Sequence, residues 1–421
     1  MHRLASIPLV ALLICSCNTP DAALGVDGVP ESNPAGDAAR SINVTRVDLG
    51  TLGGASSYAA DINGANTVVG WSETAAGATH AFRWSAAVGM VDLGTLPGDA
   101  RSRAVAVLDE GGQGGGQILG MSGDEGRWTP VVWSASGSIS ALPVPLIPGS
   151  TIALPTGFNA RGDVVGSDAG GFQHGWIWSE AGGMYDLSAN IQGGSNEGSA
   201  SAVTASGLVV LTTRANTCKL AAECWRTYLW NQTTGYGPLG TPGNDPEADV
   251  TGLALNETGT VAGWVASGRA SGTTAYRWEA GKGFTLLANY STGASHYGYA
   301  TAVNSSGSVV GADFDPVSGS IVASTWFSNG RIAKLSPDDP NPSVAVAISD
   351  LGTVAGWVAV SNGVNHAVIW KPSSQTSSVM RAPTSVSSRV STASSPCLAD
   401  PRSITSRQAL FTCVVSADRR R

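Results

Sequence analysis

The chain has 421 residues, of which 13% are charged and 54 are glycine, and its formal net charge is -7. An average globular domain has roughly 25% charged residues, so this composition favours strands and turns over helices. Lysine and arginine do not cluster before the terminal Arg419–Arg421, which excludes the basic surface expected of a nucleic-acid-binding protein.

Residues 1–17 have the pattern of a secretory signal: a basic start, the apolar run Ile7–Ile14, then small residues. The run is too short for a permanent membrane helix. The sequence "ICSC" resembles a bacterial lipobox, in which Cys17 would carry the lipid anchor; a cleaved signal without lipid is the alternative. Residues 18–44 are rich in Pro, Gly, Ala and Asp and are predicted to be a flexible tether. We therefore expect an exported protein, lipid-anchored at the bacterial outer membrane, cell surface or periplasm, or secreted.

One unit repeats seven times along residues 45–371 at intervals of 45 to 52 residues. Its "VVGW" glycine recurs at Gly70, Gly120, Gly166, Gly263, Gly311 and Gly356, with Leu211 in the fourth copy, and a tryptophan follows at Trp84, Trp133, Trp178, Trp230, Trp278, Trp326 and Trp370. Each copy contains four short stretches typical of strands. Four strands in such a unit, repeated seven times, predict an all-β, seven-bladed β-propeller. A solenoid would leave two open ends that need caps.

The first strand of each copy is predicted to end in an asparagine-like residue, and the residue just before it is a large apolar one, at Ile62, Leu108, Phe158, Val203, Leu255, Val303 and Ile348. A turn begins at the next residue with a short polar side chain, and its fourth residue is Gly or Asn. That pattern is typical of a type I turn closed by a left-handed residue, a common hairpin connection.

The seventh copy lacks the "DLG" of a fourth strand after Trp370, whereas Thr45–Leu49 supplies an orphan strand of that kind. We therefore predict that the N-terminal strand pairs in the last blade and closes the ring. The alternative is that Ser377–Met380 completes the blade locally. Residues 372–421, rich in Ser and Thr, are predicted to be a mostly disordered tail.

The motifs "DLGTLPG", "DIN..NTVVGWS" and "HAFRW" resemble the HAF-repeat family of bacterial extracellular proteins over roughly residues 46 to 370. The match is strong in the first copy and degenerate in the second, fourth and sixth copies. The resemblance implies a secreted or surface propeller-like repeat protein. It brings no catalytic residues.

Cysteines outside the signal are predicted to form two disulfides in an oxidising compartment, Cys218 with Cys224 and Cys397 with Cys413. The small loop closed by the first pair would contribute about 2–3 kcal/mol on the chain-entropy model. Zinc binding is the alternative, but no Cys or His lies nearby in sequence to complete a tetrahedron.

The histidines and recurring aspartates predict no active site. His80, His174 and His366 begin the third strand of different copies, so intervening blades keep them from sharing a metal ion, and we expect structural roles. His296 is expected on a rim. The "DLG" aspartate recurs as Asp48, Asp92 and Asp186. Its spacing singles out no acid and base pair.

Acidic loops and tryptophans complete the candidates. Asp313–Gly319 and Asp338–Pro340 match no calcium loop and are expected to be solvated. The repeat tryptophans, together with Trp71, Trp264 and Trp357, are assigned to the core. Outside the shared positions lie Trp128, Trp176 and Trp225, of which the first and last are expected in loops as surface contacts.

The sequence thus predicts no catalytic residue, metal site or cofactor. It favours a non-enzymatic binding scaffold whose protein or glycan partner meets the loop-bearing face, with membrane contact only through the lipid. The alternative is a polysaccharide hydrolase or lyase, which should show two or more channel-mouth carboxyl groups with perturbed pKa values. A structural envelope component is a third possibility.

Overall fold

The computed structural model describes residue 42 and residues 44–372, except 111–113, 125, 171–172, 190, 192–193, 216–223, 267–271, 292–295 and 362. These residues form seven sheets with four main strands each. The predicted all-β, seven-bladed propeller is confirmed. Residues 1–17, the tether to residue 41 and the tail from residue 373 lie outside the described residues, so the predictions on Cys17, Cys397 and Cys413 remain predictions.

The strands follow one another blade by blade, each blade running from its inner to its outer strand. β1 (Val44–Asp48) precedes the first blade. Blade 1 has β2 (Gly53–Ile62), β3 (Val68–Thr74), β4 (Thr79–Ser85) and β5 (Gly89–Asp92); blade 2 has β6 (Arg101–Val107), β7 (Ile118–Asp124), β8 (Arg127–Trp133) and β9 (Ile139–Ala141); blade 3 has β10 (Ser150–Phe158), β11 (Val164–Gly170), β12 (Gly175–Ser179) and β13 (Gly183–Asp186).

The remaining blades follow the same order. Blade 4 has β14 (Gly194–Val203), β15 (Val209–Ala215), β16 (Cys224–Asn231) and β17 (Gly235–Pro238); blade 5 has β18 (Asp249–Leu255), β19 (Val261–Ala266), β20 (Gly272–Glu279) and β21 (Gly283–Leu286); β22 (His296–Tyr297) pairs with β20; blade 6 has β23 (Tyr299–Val303), β24 (Val309–Asp315), β25 (Ser320–Trp326) and β26 (Ile332–Lys334); blade 7 has β27 (Ser343–Ile348), β28 (Val354–Ser361) and β29 (Val364–Pro372).

The outer strand of blade 7 comes from the other end of the chain. β1 pairs antiparallel with β29, from Val44 opposite Pro372 to Asp48 opposite Val368. Leu49, which follows β1, is buried between blades 7 and 1. The N-terminal strand therefore occupies the place that the sequence predicts for it. The alternative segment, residues 377–380, lies outside the described residues.

The core is divided among the seven junctions between neighbouring blades. At the junction of blades 1 and 2, for example, Val69 and Ala81 pack against Ala104, Val131 and Trp133, all fully buried. Each of the other six junctions has a cluster of the same kind. Burial of these apolar faces holds each blade to the next and supplies the main stabilising free energy of the ring.

The "VVGW" glycine lies where the two inner strands of a blade approach most closely. A register shift between Ala59 and Asp61 presses β2 onto β3, and a Cβ at Gly70 would lie 2.0 Å from the Tyr58 carbonyl oxygen. Blade 4 has Leu211 there instead. Gly175 of blade 3 leaves room for that side chain, since a Cβ at Gly175 would lie 2.6 Å from Leu211 Cδ1.

The predicted inner turns are present. The fourth turn residue has a positive φ in every described case, at Asn66, Gly162, Gly207, Gly259, Gly307 and Gly352. In blade 2 the predicted register is wrong by one residue. Val107 faces Ile118 as Ile62 faces Val68, so Val107 and not Leu108 is the apolar residue before the turn. Leu108 takes the first position of the turn, since its N–H donates to the Gln117 carbonyl as that of Asn63 donates to the Thr67 carbonyl.

One end of the ring carries the connections from second to third strands and from fourth strands to the next blade, such as residues 75–78 and 93–100 in blade 1. We call it the loop end. Within the described ranges, no helix is long and apolar enough to cross a membrane.

Candidate functional site

The repeat histidines pair with the repeat aspartates. His80 Nδ1 lies 2.8 Å from Asp92 Oδ2, and His366 Nδ1 lies 2.8 Å from Asp48 Oδ2. Each carboxylate also accepts a backbone N–H two residues along the chain, from Gly94 at 2.7 Å and from Gly50 at 2.8 Å. Each of these two histidines thus joins the third strand of its blade to the fourth.

The bend after each of these aspartates is tied to the next blade by a serine. Ser57 Oγ donates to the Gly50 carbonyl at 2.6 Å and accepts the Ala367 N–H at 2.9 Å. Ser102 Oγ forms the same bonds with Gly94 and Ala81, at 2.6 and 2.9 Å. The "DLG" motif is therefore part of the junction between blades.

The third histidine has a more polar environment. His174 Nδ1 lies 3.5 Å from Asp186 Oδ2 and 3.8 Å from Asp168 Oδ2, and it is buried without a hydrogen-bond partner among the described residues. Asp168 is 2% exposed and accepts a hydrogen bond from Ser150. Because that hydroxyl donates to the carboxylate and not to the imidazole, the group lacks the bond between nucleophile and base needed for covalent catalysis.

Four carboxyl groups have a raised pKa, and burial is the largest cause in each case. It raises the pKa of Asp61 and of Asp313 to about 7 and raises those of Asp168 and Asp249. Each accepts at least one backbone N–H; Asp61, for example, accepts that of Val107 at 2.9 Å. The four groups lie in four different blades and serve the backbone locally. Carboxyl groups with perturbed pKa values are therefore present among the described residues, and each of the four accepts a backbone N–H in its own surroundings.

Five side chains from blades 7, 1 and 2 form a continuous stack in the inner part of the ring. The Tyr58 ring stacks on Trp71 with centroids 5.4 Å apart and meets Trp357 edge-on at 5.9 Å. The Arg103 guanidinium carbon lies 5.4 Å from the Trp71 ring centroid and 5.6 Å from that of Trp128. All five residues are half-buried. We call this set the aromatic–arginine cluster.

The strands fix the cluster. Tyr58 and Trp71 face each other directly across β2 and β3. Asn365 of blade 7 donates to the Tyr58 hydroxyl at 2.8 Å, which links the last blade to the first. Arg103 and Trp128 lie near the loop-end starts of β6 and β8. A guanidinium and an indole face attract one another through the ring quadrupole, so both tryptophans help to hold Arg103 in place.

Arg103 differs from the other cations that stack on aromatic rings. Arg214 stacks on Trp225 and pairs with a carboxylate of Glu197 at 2.6 Å. Lys334 likewise stacks on a tyrosine and pairs with an aspartate.

No carboxylate among the described residues pairs with Arg103, and its buried Nε has no acceptor there. Burial, and then repulsion by Arg101, lower the pKa of the Arg103 guanidinium, which stays charged at neutral pH because its ordinary pKa is so high.

Several tryptophan predictions need correction. Trp71, Trp264 and Trp357 lie on β3, β19 and β28, the second strands of their blades. They are half-buried and therefore do not belong to the core. Trp128 and Trp225 lie on strands β8 and β16 and not in loops. Most of the predicted core tryptophans on third strands are buried: Trp84, Trp133, Trp178, Trp230, Trp326 and Trp370. Trp278 is the exception and is half-buried. Trp176, which lies outside the repeat position, is also buried.

The remaining candidates offer no site. The prediction that Asp313–Gly319 is solvated is wrong for its first part, because Asp313 and Asp315 are buried at the end of β24, where Asp315 pairs with Lys334 at 2.7 Å. In the second acidic stretch, Asp339 pairs with Arg46. In the described part of the chain, no three His, Cys, Asp or Glu side chains come close enough together to hold a metal ion. Cys224 is buried at the start of β16, but Cys218 lies outside the described residues, and their disulfide stays a prediction.

Comparison with known proteins finds distant structural matches. No family model and no curated protein matches the chain. Among solved structures, virginiamycin B lyase from Staphylococcus aureus has 9% identity and a TM-score of 0.47 over 79% of this chain and 99% of that one. A prolyl endopeptidase has 11% identity and a TM-score of 0.48 over 76% and 50%. AofleA from Arthrobotrys oligospora has 11% identity and a TM-score of 0.39 over 70% and 90%. Likeness this distant says nothing about activity.

Proposed function

We propose that the chain is a non-enzymatic binding protein whose ligand meets the loop end of the propeller at the aromatic–arginine cluster. The observation that carries the proposal is the charged Arg103, which lies between Trp71 and Trp128 without a protein partner among the described residues. Aromatic and arginine side chains dominate binding energies at recognition sites. Because the cluster lies on strands of three packed blades, its geometry is set before the ligand arrives.

The state of the carboxyl groups supports a binding role over a catalytic one. A hydrolase or lyase needs an acid and a base whose pKa values are moved apart beside one substrate bond. Here the groups with raised pKa values accept backbone N–H groups in separate blades. Their burial serves the fold.

The group around His174 favours one second candidate, a lyase or hydrolase acting on polysaccharide. An imidazole within 4 Å of the carboxylates of Asp168 and Asp186 has the chemistry of a general base. On this candidate, purified protein releases reducing ends from a polysaccharide panel and His174→Ala abolishes the release. On the binding proposal, the wild type releases none.

The binding proposal is tested by probing glycan and protein arrays with the mature chain. We expect Trp128→Ala to lose the wild-type signals and Trp225→Ala, which removes the other arginine-stacked tryptophan, to keep them. Both variants should retain the wild-type circular dichroism spectrum. Equal loss in the two variants, or none in either, would overturn the location of the site.

Export, lipidation of Cys17 and membership of the HAF-repeat family belong to the same proposal and are supported by the sequence motifs. Metabolic labelling with an alkyne fatty acid tests the anchor. The wild type and Cys15→Ser should be labelled, and Cys17→Ala should not. Labelling of the Cys17 variant, or of none of the three, would contradict lipidation there.

A further inference from the structure

The cluster offers hydrogen-bond donors without matching acceptors. Arg103 pairs with no carboxylate in the part of the chain that the structure describes, and the indole N–H groups of Trp71, Trp128 and Trp357 have no protein acceptor there either. Asn365 donates to the Tyr58 oxygen, which leaves the phenolic hydrogen free to donate outward. Such a surface is complementary to a ligand that brings acceptors and negative charge.

Two indoles also restrict the orientation of Arg103. The Trp71 and Trp128 ring centroids lie 5.4 and 5.6 Å from the guanidinium carbon, and because both contacts use the faces of the planar group, its N–H edge is the part suited to a ligand. A guanidinium edge matches a carboxylate or sulfate with two parallel hydrogen bonds, and a lysine ammonium cannot reproduce that geometry.

The aromatic partners narrow the ligand further. A pyranose ring with a carboxylate or sulfate group has an anion within one or two bonds of a flat C–H surface, so one sugar unit can meet the guanidinium and an indole together. An aspartate or glutamate side chain offers the anion without that flat surface. The cluster crosses the junctions of three consecutive blades, which suits a chain of sugars more than a single unit.

Resting on the proposed function, we propose that the aromatic–arginine cluster binds an acidic oligosaccharide and that Arg103 takes its carboxylate or sulfate group. The chain as a whole is acidic, with a net charge of -7, so Arg103 is a positive group in a protein of negative net charge. Binding should therefore weaken as salt rises.

Calorimetry with the mature chain tests the inference on two matched pairs of probes. Hexagalacturonate is compared with its methyl ester, which keeps the sugar and removes the charge, and dextran sulfate is compared with dextran. We expect at least one acidic probe to bind and its neutral counterpart to bind about 10-fold or more weakly, the loss of a charge-assisted hydrogen bond.

Variants locate the contact. Arg103→Gln and Arg103→Lys should both weaken the acidic probe about 10-fold or more, the lysine because it loses the planar edge. Arg214→Gln, which removes a stacked arginine that already has a carboxylate partner, should stay within about 2-fold of the wild type. Unchanged melting temperatures for the Arg103 variants would show that the loss is local.

Equal binding of charged and neutral probes, or wild-type affinity in Arg103→Gln, would overturn the acidic ligand. If array signals that depend on Trp128 come from neutral glycans or from proteins, the binding proposal stands and this inference fails. If no array signal depends on Trp128, both fail.

Discussion

Asp313 occupies in blade 6 the position that Ser72 and Ser122 occupy in blades 1 and 2, two residues after the "VVGW" glycine. All three accept a backbone N–H from the connection that enters their blade, with Asp313 accepting that of Tyr290 at 2.7 Å. A serine performs this task without charge. The carboxyl group of Asp313 is fully buried, its other oxygen lacks a partner among the described residues, and its pKa is raised to about 7.

Replacing Asp313 by serine should remove a pH-dependent loss of the free energy of unfolding. Because the folded-state pKa is above the unfolded one, the folded state holds the proton more tightly, and the wild type loses stability as pH rises from about 4 to about 7. Asp313→Ser should gain stability relative to the wild type across that interval and keep a constant advantage above it. Urea unfolding at pH 4, 5.5, 7 and 8 measures the difference. A difference that does not change with pH would refute a buried, titrating carboxyl group.

A second prediction at the residue scale concerns Gly175 and Leu211, where the absence of a side chain in blade 3 makes room for a large side chain in blade 4. Gly175→Ala should destabilise the protein by about 1–3 kcal/mol through overpacking, and Leu211→Ala by about 2–5 kcal/mol through the cavity it leaves. Because the two sites touch, the double variant should cost less than the sum by at least about 0.5 kcal/mol. Additive free energies of unfolding would contradict the proposed contact.

At the scale of the strand, the histidine and aspartate of the repeat form cross-strand pairs whose second member can come from a distant part of the chain. The pair in blade 1 joins β4 to β5, whereas that in blade 7 joins β29 to β1, 318 residues away in sequence. Histidine begins the third strand in copies one, three and seven. Asp92 and Asp186 match the first two, and the remaining aspartate, Asp48, matches His366.

Asp48→Asn should therefore loosen one strand. An exposed pair of this kind contributes up to about 1 kcal/mol, so global stability should fall little, but the amides of Val44–Asp48 should exchange hydrogen faster because they lie in an edge strand. Asp92→Asn is the matched control and should leave exchange in β1 unchanged. Hydrogen exchange with mass spectrometry measures both. Similar exchange in the two variants would contradict the selective role of Asp48.

At the scale of the whole molecule, the ring is completed by five residues. β1 covers the outer edge of β29, Leu49 is buried behind it, and Arg46 forms an ion pair with Asp339 near blade 6. Without this segment, the apolar junction of blades 7 and 1 would lose the side chains of Val47 and Leu49.

Deletion of residues 18–49 should lower the melting temperature by more than about 5 °C, since buried apolar area and a paired strand are both lost. Deletion of residues 18–41 leaves every paired residue in place and should change it by about 1 °C or less. Calorimetry on the two proteins gives the comparison. A small effect of the longer deletion would show that β1 does not hold the ring closed.

The sequence was sufficient for the blades and the turns because strand alternation and left-handed turn residues act locally and recur in every copy. The sequence also indicated that the N-terminal strand closes the ring. The chain has one "DLG" strand before the first copy, and the last copy lacks a "DLG" strand, so the first can complete the last blade. The predicted register was wrong in blade 2, where Val107 takes the place expected for Leu108 and Leu108 begins the turn in place of a short polar residue.

The candidate site could not be predicted in the same way. Trp71 and Trp357 follow a repeat glycine and were assigned to the core, and Arg103 and Trp128 stand in a degenerate copy without a motif. Their contacts depend on how three blades are oriented around the axis, which no local pattern encodes. One signal was available in the sequence: no other copy has an arginine at the position of Arg103. In a repeat protein, residues that the copies do not share are candidates for a functional role, because the shared residues build the fold.

The pairing of β1 with β29 sets an order of events during synthesis. The first strand of the propeller to be synthesised is the last to find its neighbour, because Val44 must wait until Pro372 has been added to the chain. During that delay β1 is an unprotected edge. Its exposed Thr45, Arg46 and Asp48 discourage pairing with other chains, so β1 can stay unpaired until β29 has been synthesised and the last sheet is completed.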